Sequence, residues 1–358
     1  MTRVLVVGGT IFIGPSVVRQ LAAAGNEVAV FHRGEHELDL PAVQHIHGDR
    51  DRIGEHRDAI RAFAPEVVVD MRAMTEAHAR ATADAARGIA RRLVVVSSMD
   101  VYRAYGRLHG SEPGPALEPP FDEDSPLREK LYVYRDHAPA ALAQRPPWMD
   151  DYDKILVERV TLGDRELAGS VVRFPMVHGE RDGQRRFYSL WKRMDDHRRF
   201  ILMSEKSAAF RSSRTHVDNA AHAVALVATD DRAAGRVYNV GESDALPWSD
   251  WAQLIAKELS WGGQLVIRPS DEMPAHLRDS RPDVWDHHLV ADTSRIRREL
   301  GYREVVGREE GLRRALDWYA EVPPSDEKAA GNLDYAAEDT ALDAIRAAVP
   351  GNPSRVAL

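Results

Sequence analysis

The sequence predicts an α/β fold, a doubly wound parallel sheet with a smaller C-terminal lobe, on three observations. Short valine-rich runs alternate with helical patterns through the first 175 residues, the runs are apolar on both faces, and the first ends in a glycine-rich turn. Strands apolar on both faces belong to a parallel sheet that helices cover on each side.

The opening run Val4-Leu5-Val6-Val7 stops at Gly8-Gly9-Thr10-Ile11-Phe12-Ile13-Gly14 and is followed by a helical pattern carried by Val17, Val18, Leu21 and Ala22. This order reads as buried strand, tight turn and helix. Glycines at such a turn let the backbone approach a pyrophosphate, which then rests on the free N–H groups at the positive end of the helix. Gly8, Thr10, Ile11, Phe12, Ile13 and Gly14 are therefore candidate cofactor-binding residues, the alternative being a glycine turn that holds no ligand.

Further strands are expected at residues 27–32, 43–47, 65–70 and 92–97, with helices at 15–24, 55–63 and 76–89. The second strand ends in His32-Arg33-Gly34, where His32 and Arg33 are candidate cofactor-binding residues, without the acid that bonds the ribose hydroxyls of NAD. Arg33 stands where a guanidinium meets a 2'-phosphate, so NADP(H) is favoured over NAD(H); otherwise Arg33 is a solvated arginine at a strand end. Asp49-Arg50, after the third strand, is expected at an adenine-facing turn.

A chain of 358 residues with 44% hydrophobic content can bury a substantial core. No apolar stretch approaches the roughly 20 residues that span a bilayer, and the N-terminus runs directly into the first strand, so a cytoplasmic protein is expected. The absence of cysteine excludes disulfides and thiolate catalysis. A net charge of -8 argues against a general nucleic-acid binder. No metal site is expected, since the histidines have no metal-binding spacing along the chain and the adjacent His287-His288 read as solvated.

Several later stretches, taken in order with the glycine turn, carry a resemblance. They are Val96-Ser97-Ser98-Met99-Asp100-Val101-Tyr102, Tyr152-Asp153-Lys154-Ile155-Leu156-Val157-Glu158 and Val172-Arg173-Phe174-Pro175-Met176-Val177-His178-Gly179. Thr215-His216-Val217-Asp218-Asn219-Ala220-Ala221, Val237-Tyr238-Asn239-Val240-Gly241 and Asp292-Thr293-Ser294-Arg295 follow. Over residues 1 to 320 the chain resembles the extended or atypical short-chain dehydrogenase/reductase superfamily, the group of NAD-dependent epimerases/dehydratases. The resemblance implies a Rossmann nucleotide domain, Ser98 holding a substrate oxygen, Lys154 on the nicotinamide ribose and Pro175 beside the nicotinamide.

Two departures stand out. The G-x-x-G-x-x-G pattern would place a glycine where the chain has Ile11, and the tyrosine four residues before Lys154 is replaced by Asp150. Three readings stay open: Tyr152 reaches the site because the helix begins late, capped by Asp150 or Asp151; Asp150 carries the proton; or Asp150 only caps the helix and the usual acid–base group is lost or relocated. In the first, Lys154 and the cofactor's charge would lower the Tyr152 pKa. The long connection 103–149 contains Tyr132-Val133-Tyr134-Arg135-Asp136-His137, which would supply aromatic and titratable groups if it folds over the site.

The expected domains are a nucleotide-binding domain over 1–175 with the inserted loop 103–149, a substrate lobe over 176–322 with returning segments, and an extension over 323–358. In the lobe, strands are expected at 170–174, 200–203 and 264–268, with helices at 187–194, 218–228 and 248–259. Arg211, Arg214 and Arg281 are candidates to grip a substrate diphosphate. The expected activity is that of an NAD(P)-dependent oxidoreductase or epimerase, transferring hydride at a hydroxyl or keto group of a sugar or sugar nucleotide. The alternative is a catalytically degenerate dinucleotide-binding sensor or scaffold. The partner is a small-molecule substrate, without nucleic acid or membrane; monomer and homodimer both remain open.

Overall fold

A computed structural model describes residues 1–114, 117–135, 146–279, 287–324, 326 and 331–348. The chain divides into two compact units, the first comprising residues 1–177, 214–243 and 291–306.

The first unit is built on a seven-stranded sheet. Its strands are β1 (Arg3–Val7), β2 (Glu27–His32), β3 (Val43–His47), β4 (Val67–Asp70), β5 (Arg92–Ser98), β6 (Ala168–Phe174) and β7 (Val237–Asn239), in spatial order β7-β6-β5-β4-β1-β2-β3. Every pairing is parallel. The valine pattern explains the sheet: alternate residues of one strand feed opposite apolar layers. Val4 and Val6 lie in one layer with Val17, Val18 and Leu21, whereas Leu5 and Val7 lie in the other with Ala79, Ala83 and Val157. The strand order turns back between β1 and β4, and the crevice at such a switch point is where open α/β sheets bind ligands.

Helices α1 (Ile13–Ala23), α2 (Arg57–Phe63), α3 (Glu76–Ala86), α4 (Arg103–His109) and α5 (Lys154–Gly163) belong to this unit. The connection after β5 is thus not a plain loop, because it opens with a 3-10 turn at Met99–Val101 and then α4.

The second unit comprises residues 178–213, 244–290 and 307–358. A parallel pair, Phe200–Ser204 with Gln264–Arg268, packs with helices Tyr188–Asp195, Trp248–Glu258 and Arg308–Glu321 around Phe187, Trp191, Trp251 and Tyr319. The C-terminal helix Tyr335–Ala348 joins this unit through Glu338, which pairs with the buried Arg193 at 2.6 Å. No described helix is long and apolar enough to cross a membrane.

Candidate active site

The glycine turn combines two close approaches with an open helix end. A Cβ on Gly14 would stand 2.5 Å from the carbonyl carbon of Gly9, and one on Gly9 would stand 2.9 Å from Val6. Gly8 has φ +80°. Glycine is needed there because a side chain would be strained. Position 11 needs no glycine: Ile11 is 50% exposed, and the left-handed backbone falls instead on Phe12, with φ 52°. Phe12 precedes α1 with no side-chain cap, and the first turn carries no acid. The Gly14 N–H already donates to the Ile11 carbonyl at 3.1 Å and Pro15 has none, so the Phe12 and Ile13 N–H groups, with an unopposed helix dipole and the cradle that a Cβ would fill, suit a pyrophosphate.

The residues around this turn are more engaged than the sequence implied. Arg33 pairs with Glu35 at 2.9 Å, and both are more than half exposed. Asp49 is exposed and caps the 3-10 segment Arg50–His56. Arg50 does not project into an open turn; its guanidinium donates to both oxygens of Asp70 at 3.1 Å and to the carbonyl of His78. Burial pushes the Asp70 carboxyl up, but Arg50, the Thr82 hydroxyl and the Arg72 N–H together hold it below its usual range. The sequence could not show this pair, because twenty residues separate its members.

At the ends of β4 and β5 the structure gathers Ser98, Asp100, Tyr152 and Lys154. Ser98 is half-buried, and its hydroxyl oxygen accepts from the Asp100 N–H at 3.2 Å, capping the 3-10 turn. The register of β5 with β6 sets Ser98 beside Phe174, so Pro175 leaves the neighbouring strand at the same level. Lys154 is buried and donates from Nζ to the carbonyls of Ala73 (2.8 Å) and Val96 (3.0 Å). A charged ammonium keeps a third N–H for another acceptor.

The helix begins late, as one reading required, but its cap is different. A 3-10 segment Pro147–Asp151 precedes Tyr152, and Asp153, not Asp150 or Asp151, caps α5 by accepting from the Ile155 N–H at 2.9 Å. Asp150 is exposed, and its backbone carbonyl accepts from Arg135. Tyr152 is 8% exposed and donates its phenolic proton to Oδ2 of Asp100 at 2.6 Å. Burial, then the Asp100 charge, pushes the Tyr152 pKa well up, opposite to the lowering expected from Lys154. Asp100 Oδ1 is buried with no hydrogen bond. Asp100 escaped the sequence reading because its partner lies 52 residues away, although its place just past β5 marked it as a sheet-end residue.

The segment named at Tyr132 to His137 reaches this place in part. The Tyr132 N–H donates to Asp153 at 2.8 Å, and the Tyr134 ring lies 5.2 Å from that of Tyr152. Asp136 and His137, like Arg281, lie outside the described residues. Arg214 is buried in the first unit; Arg211 is exposed in the second, its N–H donating to Nδ1 of His288. His287 is buried, contrary to the solvated reading.

Burial lowers the Lys154 pKa from 10.5 to about 8, against the raising charges of Asp100 and Asp70. Between those values the unfolded chain holds more protons, so this group's contribution to stability rises with pH and is lost as pH falls through about 8. The stability of the wild type minus that of Lys154→Met should grow by about 3 kcal/mol from pH 8 to pH 10.5 in chemical denaturation. A flat difference would show that the amine is not desolvated.

Residues 4–112 match the family profile described as NAD dependent epimerase/dehydratase family. This region belongs to that family. The family is enzymatic, and the relatives it resembles are named as enzymes. One is the 2'-dehydrokanamycin reductase of Streptomyces kanamyceticus, 26% identical over 294 residues, which cover 82% of this chain and 75% of that protein. Among solved structures, the dTDP-glucose 4,6-dehydratase of Bacillus anthracis in complex with NAD aligns at a TM-score of 0.64 and 17% identity, covering 90% of this chain and 97% of that one. The UDP-glucose 4-epimerase of Thermotoga maritima with UDP-glucose aligns at 0.63 and 16%, covering 89% and 99%. At these identities the structural likeness bears on the fold: the parallel sheet with flanking helices is that of the epimerase/dehydratase family.

Proposed function

We propose that the protein is an NAD(P)-dependent reductase or epimerase that acts on a hydroxyl or keto group of a sugar or sugar nucleotide. The observation that carries this reading is the Tyr152–Asp100 pair beside Ser98 and Lys154, on the sheet edge that also bears the glycine turn. The dinucleotide would rest on residues 8–14, with Lys154 on its ribose and Pro175 near its nicotinamide; when bound it supplies or accepts the hydride.

The protein's own groups then handle the substrate oxygen. The Ser98 hydroxyl orients it. In oxidation, the phenol oxygen of Tyr152 takes the substrate's proton while its own proton passes to Asp100 Oδ2. In reduction, the transfer runs backwards from the protonated Asp100 through Tyr152. This relay replaces the direct tyrosine–lysine arrangement, and it accounts for a tyrosine held as a neutral phenol beside an acid.

NADP(H) is the preferred cofactor in this reading. The Arg33–Glu35 pair is exposed and holds Arg33 by no more than ~1 kcal/mol, so the guanidinium is free to turn to a 2'-phosphate. Arg33→Ala should weaken NADPH by ~10-fold or more, the worth of one charge-assisted hydrogen bond, and leave NADH unchanged in calorimetric titration. Equal weakening of both would remove the 2'-phosphate argument.

The sensor reading has one observation in its favour: both hydrogen bonds of Lys154 go to backbone carbonyls and the Tyr152 O–H goes to Asp100, as in a structural network. A screen of keto sugars, sugar nucleotides and alcohols, followed by cofactor absorbance, separates the two. Cofactor binding without turnover on any of them would favour the sensor.

A further inference from the structure

Three histidines and a glutamate converge at the ends of β2 and β3, outside the Tyr152 site. The β2–β3 register sets His32 opposite His47, and His45 stands two residues earlier on β3, so all three project from one face. Glu37, in the connection between the two strands, closes the group. One nitrogen from each ring and one Glu37 oxygen all lie within 4.8 Å of one another. His32 Nε2 is 2.7 Å from His45 Nδ1, and Glu37 is 2.8 Å from both His45 Nδ1 and His47 Nε2.

Hydrogen bonds alone leave this group in conflict. The Gly34 N–H donates to His32 Nδ1 at 3.2 Å, which puts the neutral ring's proton on Nε2, aimed at His45 Nδ1. If His45 Nδ1 accepts that proton, its lone pair also faces the Glu37 carboxylate at 2.8 Å with nothing to donate. A cation at the centre removes the conflict. The ring positions suit one: centroids are 4.9, 4.9 and 6.2 Å apart, and three imidazoles on a tetrahedral Zn2+ with Zn–N of about 2.0–2.1 Å have centroids about 5 Å apart.

We propose that His32, Glu37, His45 and His47 form a binding site for a divalent transition-metal ion of the zinc class. Four protein ligands close the coordination sphere, so the site is structural, pinning the Arg33-bearing connection to the sheet. His32 binds through Nε2, its proton moves to Nδ1, and the long Gly34 contact is given up. His47 and Glu37 are more than half exposed, which gives the ion its entry path. The site is independent of the proposed function, and it departs from the expectation of no metal. The one-strand spacing His45-x-His47 was visible in the sequence; the third histidine became a neighbour only through strand pairing.

The test is equilibrium dialysis of the full chain, free of any histidine tag and stripped with a chelator, against Zn2+, Co2+ and Mg2+ near neutral pH. One Zn2+ per chain is expected, with the intense visible absorption of tetrahedral Co2+ and no Mg2+ bound. Glu37→Gln and His47→Gln, whose exposed positions leave the fold in place, should each weaken Zn2+ by ~100-fold or more, beyond the ~10–100-fold cost of losing an outer-shell partner. His36→Gln, an exposed neighbour, should bind as the wild type does. Equal Zn2+ affinity in wild type, Glu37→Gln and His47→Gln, or an octahedral Co2+ spectrum, would overturn the proposal and leave a cluster that shares only a proton.

Discussion

Gly14→Ala is expected to abolish useful dinucleotide affinity. The added Cβ would lie 2.5 Å from the Gly9 carbonyl carbon and 2.7 Å from its Cα and oxygen, all of them backbone atoms that cannot swing aside. The start of α1 must therefore draw back from the turn, carrying the Phe12 and Ile13 N–H groups away from the phosphate position. Losing two charge-assisted hydrogen bonds, at about 1.5–3 kcal/mol each, weakens binding by ~100-fold or more. The same overpacking should cost about 1–3 kcal/mol of stability. Gly54→Ala is the control, since its Cβ meets nothing within 4 Å. Calorimetric titration with NADH and NADPH, alongside thermal unfolding, reads both effects. Unchanged affinity for both cofactors in Gly14→Ala would place the dinucleotide elsewhere or nowhere.

The second large effect is expected at Tyr152 and Asp100, and its signature is non-additivity. Tyr152→Phe removes the phenol that meets the substrate oxygen, and Asp100→Asn removes the group that takes the phenol's proton. Each should lower kcat by ~10²–10⁴-fold, the usual worth of a positioned acid–base group, with little change in KM. Because the two act in one transfer, the double variant should be no slower than the worse single variant. Tyr152→Phe also leaves a buried carboxylate with neither oxygen bonded to Tyr152, at a cost of about 1–3 kcal/mol, so kcat must be compared at a temperature where both proteins are folded. Multiplying effects, or full turnover in Tyr152→Phe, would break the relay.

What the sequence made legible follows from the range of the physics involved. β1, the glycine turn and α1 are consecutive, and the valine runs report burial on both faces directly, so sheet and turn could be read from local pattern. The place of Tyr152 could not. Asp150, Asp151 and Asp153 are all competent caps, and the choice among them depended on a 3-10 segment that Pro146 and Pro147 introduce. Spacing to Lys154 assumed a regular helix where none exists, which made Tyr152 look misplaced and Asp150 look like its substitute. Asp100, Arg50 with Asp70, and His32 with His47 share another cause: each is a pair formed by the packing of distant segments. Such pairs have no period in the sequence. The raised Tyr152 pKa follows from the same gap: burial first, and then the charge of Asp100, push the phenol up, and neither can be read from its spacing to Lys154.

The most direct test is a rapid-mixing experiment that follows nicotinamide absorbance when the wild-type protein, saturated with NADPH or NADH, meets a panel of keto sugars and keto sugar nucleotides; the oxidised cofactors are mixed with the corresponding alcohols. The account predicts a change in cofactor redox state with at least one compound in wild type, slowed ~100-fold or more in Tyr152→Phe. A dinucleotide that binds tightly yet never changes redox state with any compound would contradict it.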